Sequence, residues 1–110
     1  MYSPTFIRTE NQLNKILRNQ KKTKQDMGVL FVSLWDDQSE ALIKILRDIK
    51  SRDIANQDFN KKPLYVVNSF MMPHAFVIFK TTKVPHLIQF KKGVMESEDY
   101  LGMIYKELGL

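Results

Sequence analysis

Cysteine is absent from this chain of 110 residues. Disulfides, thiolate metal sites, iron–sulfur clusters and every thiol-based mechanism are therefore closed to it. The absence says little about compartment, because a chain without thiols is indifferent to redox poise. Long apolar runs are missing too. None approaches the roughly 20 residues that cross a bilayer as a helix, so no membrane association is expected. The opening residues MYSPTFIRTE lack the basic and apolar blocks of a secretory leader, and a cytoplasmic protein is expected. Glycine and proline number four each, too few for a Gly/Pro-rich linker, and no repeat or low-complexity tract divides the chain. Residues 1–110 are expected to form one domain around one core.

Acidic side chains are missing from one long stretch. Residues 59–95 carry six lysines and no acid, and residues 1–24 carry six bases against one acid. Residues 25–58 reverse this with seven acids and four bases, as do residues 96–110 with four acids and one base. The net charge of +5 is thus the sum of opposed blocks.

What is present reads as alternating strands and helices. TFIRT (Thr5–Thr9) predicts a first strand, and Thr9 with Gln12 three residues on fits a capping box. The helix that follows sets Leu13, Ile16 and Leu17 on one face. The lysine-rich residues 19–28 read as a connection. GVLFVSLW (Gly28–Trp35) is a nearly continuous apolar run, the mark of a strand covered on both faces. Leu42, Ile45, Leu46 and Ile49 give the next helix an apolar stripe. A polar loop at 55–63 leads to a strand at 64–70. A short helix is expected within 71–80 with Pro73 in its first turn, and a strand at 86–92 ends at Gly93. Ser97 is expected to cap a last helix, with Glu98 and Asp99 in its first turn and Leu101, Ile104, Tyr105 and Leu108 buried. This order implies a sheet with parallel pairs and helices on both faces.

Two segments carry a family resemblance. VLFVSLW followed by DDQSEALIKILRDI resembles the thioredoxin run that leads from a strand through Trp-Cys-x-x-Cys into a long helix. KVPHLIQFKKG, Lys83 to Gly93, resembles the family's segment with a cis proline and a strand ending in a Lys-x-Gly turn. The resemblance covers nearly the whole chain. It implies an α/β thioredoxin-like three-layer sandwich with a mixed sheet of about four strands, a cis bond before Pro85, and Pro85 beside the helix start. Asp36 and Ser39 stand where the family has its two cysteines. Leu30 stands where many members bury an aspartate, Lys44 replaces a helix-kinking proline, and His86 replaces the usual threonine. With Ser97 only four positions after Gly93, the last edge strand is expected to be short or absent, leaving an edge through which a homodimer can form.

The residues of Asp-Asp-Gln-Ser suit anchoring better than catalysis. A helix N-terminus stabilises a carboxylate as it would a thiolate. Asp37 with Glu40 fits a cap, as does Asp36. Two sharper readings compete with this: a divalent metal held by Asp36, Asp37 and His86, and a general base at Asp36 or His86. Neither has a supporting ligand or triad pattern, His74 being remote in sequence, and no metal, cofactor or enzymatic activity is expected. The resemblance instead implies recognition of a protein partner through Trp35, Asp36, Asp37, Gln38, Ser39, Val84, Pro85 and His86, with the backbone of Val84 pairing an extended peptide.

The same topology gathers Lys21, Lys22, Lys24, Lys61, Lys62, Lys91 and Lys92 at the opposite pole, while Lys80 and Lys83 fall near Asp36. Such a pole suits phosphates or an acidic surface without sequence specificity, or serves only as a solvated face. The sequence therefore predicts a redox-inactive protein-binding adaptor or subunit. The alternative is an accessory factor of nucleic-acid machinery, for example one associated with a polymerase, working through the lysines.

Overall fold

The computed structural model describes residues 2–56, 62–68, 73–78 and 83–110. Its elements are β1 (Tyr2–Phe6), α1 (Glu10–Thr23), β2 (Met27–Val32), α2 (Asp37–Asn56), β3 (Lys62–Asn68), α3 (Pro73–Ile78), β4 (His86–Lys91), β5 (Val94–Glu98) and α4 (Leu101–Glu107). The strands form one five-stranded sheet in the order β1-β3-β2-β4-β5. β3 runs parallel to both β1 and β2, and β4 runs antiparallel to β2 and β5.

β2 is the centre of the molecule because its side chains are apolar on both faces, and all six of its residues are buried. Val29 and Phe31 join Ile7, Leu13, Met27, Val67 and Ile88, with Ile16, Leu17 and Phe76 packed against them. Leu30 and Val32 point the other way and join Leu42, Ile43, Leu46, Leu64, Leu87, Ile104 and Leu108. The sheet is thus sandwiched between α1 with α3 on one side and α2 with α4 on the other. At Gly28 a Cβ would lie 2.9 Å from Leu64 Cδ1 and 3.2 Å from the Tyr2 ring, so only glycine lets these side chains cross β2.

Several boundaries differ from the sequence expectation, each for a physical reason. β1 starts at Tyr2 rather than Thr5, with Pro4 inside it. An edge strand tolerates proline, because one side of its backbone needs no partner. α1 runs through the expected connection to Thr23 and stops where Lys24 turns left-handed (φ 54°), its N–H bonded to Gln20 O at 2.7 Å. The buried stripe of α2 is Ser39, Leu42, Ile43 and Leu46, whereas Ile45 is 37% exposed. Both sets follow helical spacing from the same apolar run, and the packing at the helix start selects the one that includes Ser39. The largest departure is at 94–98. Ser97 is not a helix cap: it lies in β5, paired through the register Lys91↔Val94 to Leu87↔Glu98, and Tyr100 precedes α4 instead. Alternating Met95-Glu96-Ser97-Glu98 finds a ladder on β4, and the edge strand spans five residues. The Thr9 half of the expected capping box forms, Gln12 N–H donating to Thr9 Oγ1 at 3.1 Å, while Gln12 Oε1 accepts from the N–H of Arg8, one residue before the cap. Ile104 and Leu108 are fully buried with Tyr105 packed against their cluster, whereas Leu101, also expected inside, is only half-buried.

Candidate functional site

β2 ends at Val32, and the chain turns through Leu34 and Trp35 before α2 begins. Asp36 caps that helix: its Oδ2 accepts the Ser39 N–H at 2.8 Å, and its carbonyl accepts from Glu40 N at 2.9 Å. A carboxylate here meets both the unsatisfied amides and the positive end of the helix dipole. Asp37 follows as the first helical residue. Ser39 is fully buried, and its Oγ has no hydrogen-bond partner.

Lys83, Val84 and Pro85 bring the chain back past this helix start, and the Val84–Pro85 peptide bond is cis. Together with Gln38, Asp99, Tyr100 and Leu101 they line an open groove of about 470 Å³. Its lining is mixed, with a carboxylate and an ammonium from Asp99 and Lys83 and apolar side chains from Val84, Pro85 and Leu101. Two large aromatic side chains stand in solvent at this end, Trp35 at 84% exposure and Tyr100 at 68%. Trp35 therefore does not pack against α2.

Of the residues singled out in the sequence, the groove collects Gln38, Val84 and Pro85. Asp36 and Ser39 serve the helix start behind it. His86 turns along the sheet, where its Nε2 pairs with Ser97 Oγ and its ring meets Phe31 edge-on at 6.4 Å. Burial lowers the His86 pKa from 6.5, with Asp99 and Glu98 opposing the shift. Asp36 is thus committed to an amide and His86 to a hydroxyl. Among the described residues no three or more histidines and acids gather to hold a metal ion, which removes the support for the Asp36–Asp37–His86 metal reading. Sequence reasoning missed Asp99, Tyr100 and Leu101. Had the alternation of Met95 to Glu98 been taken as a strand, Tyr100 would have fallen at a strand–helix junction beside Pro85.

The lysine pole is partly visible. Lys61, Lys80 and the side chain of His74 lie outside the described residues, as do Phe59 and the end of the strand expected at 64–70. Lys21 and Lys22 occupy the last turn of α1, and Lys24 follows it. Lys62 Nζ stands 5.7 Å from the centroid of the Tyr2 ring. Lys91 is shared between Glu96 and Glu107 at 3.6 and 3.7 Å. Lys92 donates its amide to Asp26 Oδ1 at 2.8 Å. Beneath this surface, Gln89 Nε2 donates to Tyr2 OH at 2.9 Å and to Glu107 Oε2 at 3.3 Å. Desolvation raises the Tyr2 pKa above 10 against the lowering effects of Gln89 and Lys91. Three carboxylates, Asp26, Glu96 and Glu107, therefore stand among these lysines.

Comparison with known proteins separates fold from sequence. No protein-family model and no curated protein matches the chain. Solved thioredoxins match it in three dimensions. Thioredoxin NaTrxh from Nicotiana alata superposes with a TM-score of 0.74 at 10% identity, over 97% of this chain and 90% of that one. Thioredoxin O2 from Arabidopsis thaliana, in its oxidized state, gives 0.71 at 16% identity, over 96% and 94%. The thioredoxin of Trypanosoma brucei brucei gives 0.65 at 14%, over 97% and 88%. Likeness at such low identity establishes the fold. The chain has the thioredoxin fold, with no cysteine anywhere in it.

Proposed function

We propose that this cysteine-free chain of thioredoxin fold is a redox-inactive binding module, an adaptor or subunit that holds an extended segment of a partner protein. The single observation carrying this reading is the open groove between the α2 start, the Val84–Pro85 loop and the β5–α4 junction. Dithiol exchange is closed by composition, so what the helix start retains is its electrostatics, now spent on Asp36. Trp35 and Tyr100 are the exposed aromatics nearest this end, and aromatics of that size dominate binding energy where they become buried. No helix among the described residues is long and apolar enough to cross a membrane. The nucleic-acid reading rests on the lysine pole, and the carboxylates standing there weigh toward the groove.

Extended peptides selected from a display library against the intact chain test the reading. Trp35→Ser and Tyr100→Ser are each expected to weaken the selected peptides by roughly tenfold or more. Lys21→Gln with Lys22→Gln is expected to change affinity by less than about twofold. The opposite pattern, with binding lost on neutralising lysines and kept without the aromatics, overturns the proposal. An insulin-reduction assay is expected to stay at background.

A further inference from the structure

The sheet ends at β5, whose residues Val94 to Ser97 are all exposed, Val94 at 61% and Met95 at 57%. Hairpin geometry fixes which of their backbone groups point outward. Lys92 and Gly93 both have positive φ, 52° and 82°, and close a two-residue turn between Lys91 and Val94. In such a hairpin the closing pair is hydrogen-bonded, and bonded and non-bonded pairs alternate beyond it. Val94, Glu96 and Glu98 therefore direct their N–H and C=O groups to β4. Met95 and Ser97 direct theirs away from the sheet, where a further strand would dock.

The side chains say what kind of strand. Glu96 and Glu98 share the face that carries Leu87 and Gln89, while Met95 and Ser97 share the face of Ile88 and Phe90. Glu96 has only part of a counter-ion, because Lys91 is divided between it and Glu107. An incoming strand is thus met by carboxylates on one face and an exposed methionine on the other. A second copy of this chain fits poorly. Antiparallel self-pairing centred on Glu96 or on Ser97 sets glutamates against glutamates, which is destabilising. Centring it on Met95 avoids that clash but runs at once into the Lys92–Gly93 turn.

We propose that the open edge of β5 receives an extended segment of a partner protein whose lysine or arginine side chains alternate with apolar ones, adding a sixth strand to the sheet. The bases meet Glu96 and Glu98, the apolar residues cover Met95, and the outward amides of Met95 and Ser97 supply the main-chain bonds. This surface is distinct from the groove and stands or falls separately from it.

The test uses the intact chain and a short peptide of alternating lysine and valine, with a copy carrying proline at its centre as control. Amide exchange followed by NMR is expected to slow about tenfold at Met95 and Ser97 with the alternating peptide and not with the proline copy. Met95→Pro removes one outward N–H while leaving the β4 ladder intact, as an edge strand permits, and is expected to abolish the protection. Glu96→Lys is expected to weaken it, and more so at low salt than at high salt, where like-charge repulsion is screened. Unchanged exchange at Met95 and Ser97, or protection confined to Trp35 and Tyr100, overturns the proposal. Protection that appears without peptide and rises with protein concentration also overturns it, in favour of a second copy.

Discussion

His86 is where acidification reaches this fold. Its burial favours the neutral imidazole, so its folded pKa lies below the ordinary 6.5. Between those two values the unfolded chain binds more protons than the folded one, and stability rises with pH there. The contribution of His86 is complete above about pH 6.5 and is lost as pH falls from there toward the folded value. Denaturant unfolding across this range is expected to show that decline, and His86→Gln to flatten it. A slope unchanged in the variant would assign the effect to other groups. At this scale the sequence was only partly legible. A cap at Asp36 or Asp37 was visible from their place before an apolar periodic run, but not which of the two. Asp37 with Glu40 fits equally, and the structure caps with Asp36 and puts Asp37 inside the helix. The contact of His86 with Ser97 was not visible, because it joins residues eleven positions apart and Ser97-Glu98-Asp99 read as a helix start rather than as a strand paired with β4.

At the scale of elements, the start of α2 offers a contrast within one turn. Asp36 accepts the Ser39 amide, so Asp36→Ala is expected to cost about 1 kcal/mol. Ser39 buries a hydroxyl with no partner, so Ser39→Ala is expected to be neutral or stabilising. Thermal or urea unfolding of the two variants checks both signs, and a larger loss at Ser39 than at Asp36 would contradict this account of the cap. Elements with strong local signals were legible: the Thr9–Gln12 cap, the apolar β2 and the turn at Gly93. Elements decided by their neighbours were not. The run Ala41-Leu42-Ile43-Lys44-Ile45-Leu46 permits two helical stripes, and tertiary packing buried Ile43 in place of Ile45. Ser97-Glu98-Asp99 has the composition of a helix start, yet cross-strand pairing with β4 prevailed over that local preference.

At the scale of the whole molecule, alternation of strands and helices was enough to indicate a layered sheet, and the two thioredoxin-like segments to indicate which one. The two ends of that sheet differ in chemistry. One end carries the groove and two exposed aromatics; the other carries lysines interleaved with Asp26, Glu96 and Glu107. The groove residues beyond Pro85 escaped the sequence because Asp99, Tyr100 and Leu101 become neighbours of Gln38 only once β5 has formed. The most direct test is a photo-crosslinking side chain placed in the native host at Gln38, inside the groove, or at Lys21, on the opposite pole. Crosslinks from Gln38 to one extended segment of a partner protein, mapped by mass spectrometry and missing from Lys21, are the predicted result. Crosslinks to nucleic acid from Lys21, with Gln38 silent, would contradict it.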